Sequence, residues 1–489
     1  MIRDTRYAIR HASRPYALWL GLALALTAVA LGALLGFVGP LITVGALAAV
    51  AVALWALTRL EVGLWGVIAI ITLLPFGGLP FKIVFTPTFL DLALLAVLTV
   101  YLFQWMTGRR RQLTLTPAHA PMALFWVLAV FSFVAGMNNG PLTTNLLRQF
   151  GELLLGIGFT FIIVDYVDSR EKLGQLVGVI LICGTAAAAL GLVLYFLPET
   201  LSERLLSALR VFNYPSGGVL RYIEDNPANS QRAISTSVDP NVLGGLLAMM
   251  GGLLAPQLLT PGPVLRSRGL TYAAFGIVLA CLMLTFSRGA MGALAVALAG
   301  IALVRYRRML WIMVVVALVI VFLPVTQDYV AHFVEGLQAQ DLATQMRFGE
   351  YKDAFILIGR YPWLGVGFAG APEIDIYLGV SNAYLLMTSE MGLVGLAAFL
   401  LVIGTVMVWS FAQRRRVYAD KSLTALWLGA HAGLAAALAV GVVDHYFFNL
   451  DFPHASTLFW IFVGLCLSAT RLATVAPVSG ERVGMDMGN

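Results

Sequence analysis

Three arginines in a very apolar chain have the chemistry and the setting to bind an anion. Arg288 lies in a turn between two apolar helices, Arg232 precedes a third, and Arg347 opens a helical segment. An arginine near membrane depth costs about several kcal/mol unless it is paired or faces a water-filled cavity. Snorkelling towards headgroups is the alternative for Arg288. The functional interpretation of Arg288 is an anion ligand at the mouth of a cavity, and Arg232 beside a helix N-terminus supports it.

The neighbours of these arginines predict further contacts. Asp239 and Asn241 flank Pro240 at the start of an apolar helix, where Asp239 fits the N-cap position. A helix N-terminus beside an arginine binds anions, although ordinary capping is the alternative. Tyr351 shares one helical face with Arg347. Candidate ligand-binding residues are therefore Asp239, Asn241, Arg221, Tyr351, Asn382, Tyr384 and His454.

One segment, residues 444–454, offers groups for proton transfer. It contains Asp444, His445 and His454 among several aromatic residues. Asp444 and His445 join Arg232, Arg288 and Arg347 as candidate catalytic residues, and an aromatic belt at the membrane interface is the alternative for this segment. Further candidates for the base are Glu224, Asp225 and Asp239.

The elements that position these residues are membrane helices. Charged residues make up 11% of the chain and hydrophobic residues 60%, whereas a soluble chain carries about 25% charge. We expect an all-α polytopic membrane protein with about fourteen spans. The predicted spans are residues 17–38, 41–58, 62–76, 89–107, 121–137, 148–167, 174–196, 238–256, 270–287, 289–305, 309–325, 382–411, 423–443 and 455–472.

Basic clusters orient these spans. If each span crosses once, five clusters fall on one side, which the positive-inside rule makes cytoplasmic. The clusters are Arg3/Arg6/Arg10/Arg14, Arg109–Arg111, Arg266/Arg268, Arg305/Arg307/Arg308 and Arg414–Arg416. The two long non-apolar loops, 198–237 and 326–381, then face outward and carry short helices. The face formed by Leu201, Leu205, Leu209 and Phe212 suits the membrane interface.

We expect one membrane domain, residues 1–475, followed by a disordered tail, 476–489. The apolar run 17–38 is too long for a signal-peptide core and is kept as the first helix. The cysteines, all in apolar stretches, show no metal-ligand spacing. Basic charges at helix ends do not predict nucleic-acid binding.

Four motifs in order resemble the O-antigen ligase and O-antigen polymerase superfamily of bacterial lipid-linked glycan transferases. They are Arg232 with Asp239-Pro240-Asn241; Ser287-Arg288-Gly289; Arg347 followed by Pro362-Trp363-Leu364-Gly365-Val366-Gly367; and Asn382-Ala383-Tyr384-Leu385 followed by Glu390-Met391-Gly392. The resemblance covers about residues 230–400. Ligases of the family have a histidine before the asparagine of the last motif, whereas this chain has Ser381. This difference tilts the expectation slightly towards polymerase-like or divergent members.

The resemblance implies a glycosyltransferase of the bacterial inner membrane, active on its outer face in surface polysaccharide or lipopolysaccharide synthesis. Its partners would be a polyprenyl diphosphate-linked glycan donor, a glycan or lipid acceptor, and the bilayer. The first outer loop, near Gly39-Pro40, has no carboxylate to hold a metal. We therefore expect inverting transfer without a metal or other cofactor, with Arg232, Arg288 and Arg347 on the diphosphate.

A transporter or flippase for a lipid-linked or anionic solute is the alternative. Transporters show internal repeats, broken helices at corresponding positions and midplane charges. None of these is clear in the sequence, whose polar residues collect on one side. The transferase therefore remains the leading hypothesis.

Overall fold

The computed structural model describes residues 58–82, 85–323, 342–371 and 379–474, together with Trp55, Gln327, Val334 and Gln338. The chain divides into two compact units, residues 1–63 and 64–489. The predicted spans 17–38 and 41–58, apart from Trp55 and Thr58, lie outside the described residues, as does the predicted tail. All site residues discussed below belong to the second unit.

The described part is mostly helical. Its α-helices, in chain order, are α1 Leu60–Leu73, α2 Phe89–Met106, α3 His119–Ala135, α4 Thr144–Tyr166, α5 Arg170–Phe196, α6 Glu199–Ala208, α7 Pro240–Leu258, α8 Arg268–Leu284, α9 Arg288–Val304, α10 Arg308–Phe322, α11 Leu342–Arg360, α12 Ala383–Tyr418, α13 Lys421–Val440 and α14 Pro453–Leu472. One short antiparallel hairpin, which the sequence did not predict, pairs β1 Arg221–Tyr222 with β2 Gln231–Arg232.

Seven of these helices are long and apolar enough to cross a membrane: α2, α4, α5, α7, α12, α13 and α14. Shorter apolar helices include α1, α3, α8 and α9. Each predicted span after residue 58 coincides with one helix, so a multi-pass helical membrane protein is confirmed in outline. Fourteen crossings stay a prediction.

Two helices, α6 and α11, lie within the long non-apolar stretches. In α6, Ser202 and Leu206 are buried, whereas Leu201 and Leu205 are 42% and 49% exposed. The Ser202 hydroxyl donates to the Leu194 carbonyl at 2.7 Å and ties α6 to the end of α5. The face predicted for the membrane interface is therefore left open.

The best-buried helices are α7, α13 and α14. Glycines bring α7 and α13 into backbone contact. A Cβ at Gly252 would lie 2.9 Å from the Ala432 carbonyl carbon, and one at Gly429 would lie 2.7 Å from the Leu253 carbonyl oxygen. Small residues that admit such approach are typical of membrane helix interfaces. This close pair fixes the helix ends on which the site is built.

Helix α12 is broken at Gly392, whose φ and ψ are 71° and −178°. The loop 362–367 enters this break. Val366 N donates to the Ser389 carbonyl at 2.8 Å, Gly367 N to the Glu390 carbonyl at 2.9 Å, and Leu393 N to the Pro362 carbonyl at 2.7 Å. Backbone groups freed by the break are therefore satisfied by other backbone groups of the protein.

Candidate active site

A cavity of about 170 Å³ lies where several helix ends meet. Its lining is Ile223, Glu224, Asp225, Arg232, Asn241, Phe286, Ser287, Arg288, Gly289, Ala290, Met346, Arg347, Val440, Val443, Asp444 and Tyr446. The N-terminal ends of α7 and α9, the C-terminal end of α13, the first half of α11 and the hairpin all contribute. Arg232, Arg288, Arg347, Asp444 and Asn241, predicted from separate segments, are thus brought together.

Arg232 is fixed by two hydrogen bonds. Its Nε donates to the Thr285 carbonyl and its Nη2 to Asn241 Oδ1, both at 2.8 Å. Thr285 ends α8, and Asn241 lies in the first turn of α7. The guanidinium therefore joins three elements, and Arg232 also lines the cavity.

The charges around Arg232 concentrate positive potential. Burial lowers the pKa of its guanidinium; Asp239 and Asp225 oppose this, whereas the positive charges of Arg288 and Arg347 lower the pKa further. Three cations that repel one another in a partly desolvated space are stabilised by a bound anion.

The N-terminus of α9 adds to this potential. Ser287 occupies its N-cap position but makes no side-chain capping hydrogen bond. The residues from Ser287 to Ala290 line the cavity, so the first-turn N–H groups and the positive end of the helix dipole are directed at it. Arg288 is the first residue of this helix. The turn that the sequence singled out therefore combines an arginine with a helix N-terminus.

Acidic residues also line the cavity. Glu224 and Asp225 belong to a short 3-10 turn after β1, and both have positive φ, 57° and 53°. Phe286, which also lines the cavity, has φ 51°. Such backbone costs about 1–3 kcal/mol per residue and concentrates at functional sites. Glu224 and Asp225 were predicted as candidate bases, and the hairpin places them here.

Asp444 follows the end of α13, and its side chain lines the cavity. Its Oδ1 accepts from the His445 backbone N at 2.8 Å and lies 3.3 Å from His445 Nδ1. The ring nitrogen has no aligned hydrogen bond to that oxygen. His445 itself is not part of the lining. Of the two neighbouring residues predicted for proton transfer, Asp444 therefore lines the cavity and His445 does not.

Three further predicted residues hold the turn that carries Asp444. Asn382 caps α12 by accepting from Tyr384 N and Leu385 N, both at 2.9 Å, and its Nδ2 donates to the Val442 carbonyl at 2.7 Å. Tyr384 donates to the Leu438 carbonyl at 2.7 Å, and Tyr351 to the Ser381 carbonyl at 3.3 Å. These polar atoms contact protein and position the site.

The remaining predicted residues lie outside the lining. Asp239 caps α7 by accepting from Asn241 N at 2.7 Å and Val242 N at 3.0 Å. Arg221 pairs with Arg232 in the hairpin register, and its Nε is 3.5 Å from the Val238 carbonyl. His454 is 2% exposed, with the Phe76 ring centroid 4.8 Å away.

Tyr446 is the lining residue of greatest chemical interest that the sequence did not single out. It is 2% exposed and lies two residues after Asp444. Its only signal in the sequence was its place in the segment 444–454. Among the described residues, no group of three or more His, Cys, Asp or Glu side chains is placed to hold a metal ion. Metal-independent chemistry stays a prediction.

Fold and site together define a multi-pass helical membrane protein with an arginine-rich cavity at its helix ends. Residues 273–400 match the family model described as O-antigen ligase. This confirms the resemblance to the O-antigen ligase superfamily, and the matched segment contains Arg288, Arg347, the loop 362–367 and the start of α12. Arg232 and Asp444 lie outside the matched segment. No curated protein matches the chain.

Proposed function

We propose that the protein transfers a polyprenyl diphosphate-linked glycan to an acceptor at the outer face of the bacterial inner membrane. One observation carries this proposal: Arg232, Arg288 and Arg347, from three separate segments, line one cavity together with Asp444. Positive groups and carboxylates lining one cavity are what a diphosphate leaving group and an acceptor hydroxyl require.

The size of the cavity limits how much of the donor it can enclose. Its volume of about 170 Å³ is below the roughly 300–1,000 Å³ of pockets that enclose a drug-sized ligand. The cavity therefore holds the reacting end of the donor. The prenyl chain extends into the bilayer and the rest of the glycan lies outside.

The reaction follows from these positions. The acceptor hydroxyl oxygen forms a bond to the anomeric carbon while the bond from that carbon to the phosphate oxygen breaks. The electron pair leaves with the diphosphate, whose growing charge the three arginines stabilise. Asp444 takes the hydroxyl proton, and attack opposite the leaving group inverts the anomeric configuration.

Ser381 bears on the choice between ligase and polymerase. Its backbone N donates to Glu350 Oε2 at 2.8 Å, and its side chain lacks the imidazole that ligases of the superfamily have at this position. With Asp444 as the base, that imidazole is not required. We therefore favour the polymerase type, in which a growing glycan is the acceptor.

The test measures release of polyprenyl diphosphate from a lipid-linked oligosaccharide by the purified protein in nanodiscs containing EDTA. Release by the wild type, and its loss by at least about a hundredfold in Arg288→Ala and Arg347→Ala, is expected. Arg210→Ala, at an exposed arginine outside the cavity, is the matched control. Product length separates polymerase from ligase.

Three outcomes contradict parts of this proposal. Equal release by Arg288→Ala and Arg347→Ala would remove the arginines from the mechanism. Release abolished by EDTA would overturn metal independence. No release with several donors and acceptors would favour transport, which a flux assay of the lipid-linked donor then tests.

A further inference from the structure

Tyr446 is buried at the wall of the cavity, yet its hydroxyl makes no hydrogen bond with the part of the chain that the structure describes. Its ring lies edge-on to the rings of Phe447 and Phe452, with centroids 4.8 and 6.4 Å away. The hydroxyl oxygen is not among the fully buried polar atoms that lack a partner, so it keeps access to open space beside a buried ring. Such a group in a ligand cavity points to a partner supplied by the ligand.

The place of the hydroxyl depends on Gly245 in α7. A Cβ at that position would lie 2.0 Å from Tyr446 Oη and 2.6 Å from Cζ. Any other residue type at 245 would therefore displace the tyrosine. The preceding glycine, Gly244, allows the start of α9 to approach α7, because a Cβ there would lie 3.0 Å from Ser287 Cβ. Two successive glycines thus admit Tyr446 and the start of α9 to the same cavity.

The hydroxyl keeps its proton. Burial raises the pKa of Tyr446 well above its ordinary value, and the negative charges of Asp444 and Asp239 raise it further, while Arg347 opposes them. A phenol that stays protonated is a hydrogen-bond donor at physiological pH. Its natural partner in this cavity is an acceptor oxygen.

Resting on the proposed function, we infer that the Tyr446 hydroxyl donates a hydrogen bond to an oxygen of the donor's diphosphate. The arginines supply charge to that group, whereas the tyrosine supplies a donor of fixed direction from the wall formed by α7 and the 441–452 connection. Its neutral O–H adds no repulsion to the three guanidinium groups.

The experiment uses polyprenyl diphosphate itself as the probe. Its affinity for the full-length protein in nanodiscs is measured by calorimetric titration for wild type and Tyr446→Phe. Phenylalanine keeps the ring and removes only the hydroxyl, so the thermal midpoint should stay within a few degrees. We expect about tenfold weaker binding, the loss of one hydrogen bond to a charged group.

Tyr418→Phe is the matched control. The Tyr418 hydroxyl is buried and has no hydrogen-bond partner among the described residues, but it lies at the far end of α12 and does not line the cavity. Its loss should leave the affinity unchanged.

The outcomes separate this inference from the proposed function. If wild type releases polyprenyl diphosphate from a lipid-linked donor while Tyr446→Phe binds the probe as tightly as wild type, the inference fails alone. If wild type neither binds the probe nor releases it, the proposed function fails as well. Weaker binding by Tyr446→Phe, with Tyr418→Phe unchanged, supports the inference.

Discussion

Gly392, at the break in α12, lies directly against the backbone of Trp363. A Cβ at Gly392 would be 2.2 Å from both the carbonyl carbon and the carbonyl oxygen of Trp363. Gly365 approaches the same break from the loop side, where its Cβ would lie 2.4 Å from the Glu390 carbonyl carbon. Two motifs that are separate in the sequence are therefore one structural joint, which connects α11 to α12 through backbone contact.

Replacing Gly392 by alanine should destabilise the protein severely. Its φ of 71° disfavours any L side chain, and the added methyl meets backbone that has no room to move. We expect a drop of at least several degrees in the thermal midpoint and reduced abundance in membranes. Gly404→Ala, in the same helix with open space around its Cβ position, should be neutral. Equal midpoints for the two variants would show that the joint is dispensable.

Arg232 acts through its hydrogen bonds as well as its charge. Arg232→Lys keeps the charge but offers one ammonium in place of a fork that bonds Thr285 and Asn241 together. We expect diphosphate release to fall by about tenfold to a hundredfold, the loss of hydrogen bonds to a charged group. Steady-state release in EDTA measures this, with Arg210→Lys as the control. Full activity in Arg232→Lys would leave only a role for charge.

Several residues that the sequence predicts on one side of the membrane line one cavity, because membrane topology restricts geometry; their roles stay predictions. Once apolar spans and basic clusters are ordered, residues at alternate helix ends must share one side. By that reasoning Arg232, Arg288, Arg347 and Asp444 belong to one side, and all four line the cavity. The direct hydrogen bond between Arg232 and Thr285, which are 53 residues apart along the chain, could not be predicted in this way.

Other features depend on contacts between distant segments. The Tyr446 hydroxyl reaches the cavity wall only because Gly245 lacks a Cβ, and no local pattern marks that pairing. The hairpin 221–232 has strands of two residues, too short for a period to be visible. His454 lies in the first turn of α14 and is buried beside Phe76. The hydropathy of the sequence at this helix start does not predict that the histidine is buried.

Two aspartates that cap helices should respond to pH with opposite signs. Burial raises the pKa of Asp239, and the charge of Asp444 adds to this against hydrogen bonds from Val242 N and Asn241 N. A raised pKa in the folded state means that stability is lost as pH rises through that value. Asp239→Asn keeps an acceptor for the cap and removes the buried charge. Its thermal midpoint relative to wild type should therefore increase as pH rises.

Asp420, the cap of α13, is the matched control. Burial by itself raises its pKa, but hydrogen bonds from Leu423 N and Ser422, with the charge of Arg170, lower it below the ordinary value. Its stabilising contribution is lost as pH falls. Asp420→Asn should be less stable than wild type at neutral pH, and the difference should vanish in acid. Parallel pH profiles for the two variants would contradict the assigned directions.

Gly245 and Tyr446 should be coupled in stability, independently of any activity. Gly245→Ala inserts a methyl 2.0 Å from Tyr446 Oη, and overpacking of this kind costs about 1–3 kcal/mol. Tyr446→Ala removes the ring and leaves a void, also at a cost. In the double variant the methyl occupies vacated space, so its loss of stability should be smaller than the sum of the two single losses by about 0.5–3 kcal/mol.

Unfolding in nanodiscs, followed for both single variants and the double variant, measures this coupling between Gly245 and Tyr446. Gly292→Ala, at a helical glycine with open space at its Cβ position, should add its own small effect to Tyr446→Ala without coupling. Strict additivity of Gly245→Ala with Tyr446→Ala would show that the glycine does not set the position of the tyrosine.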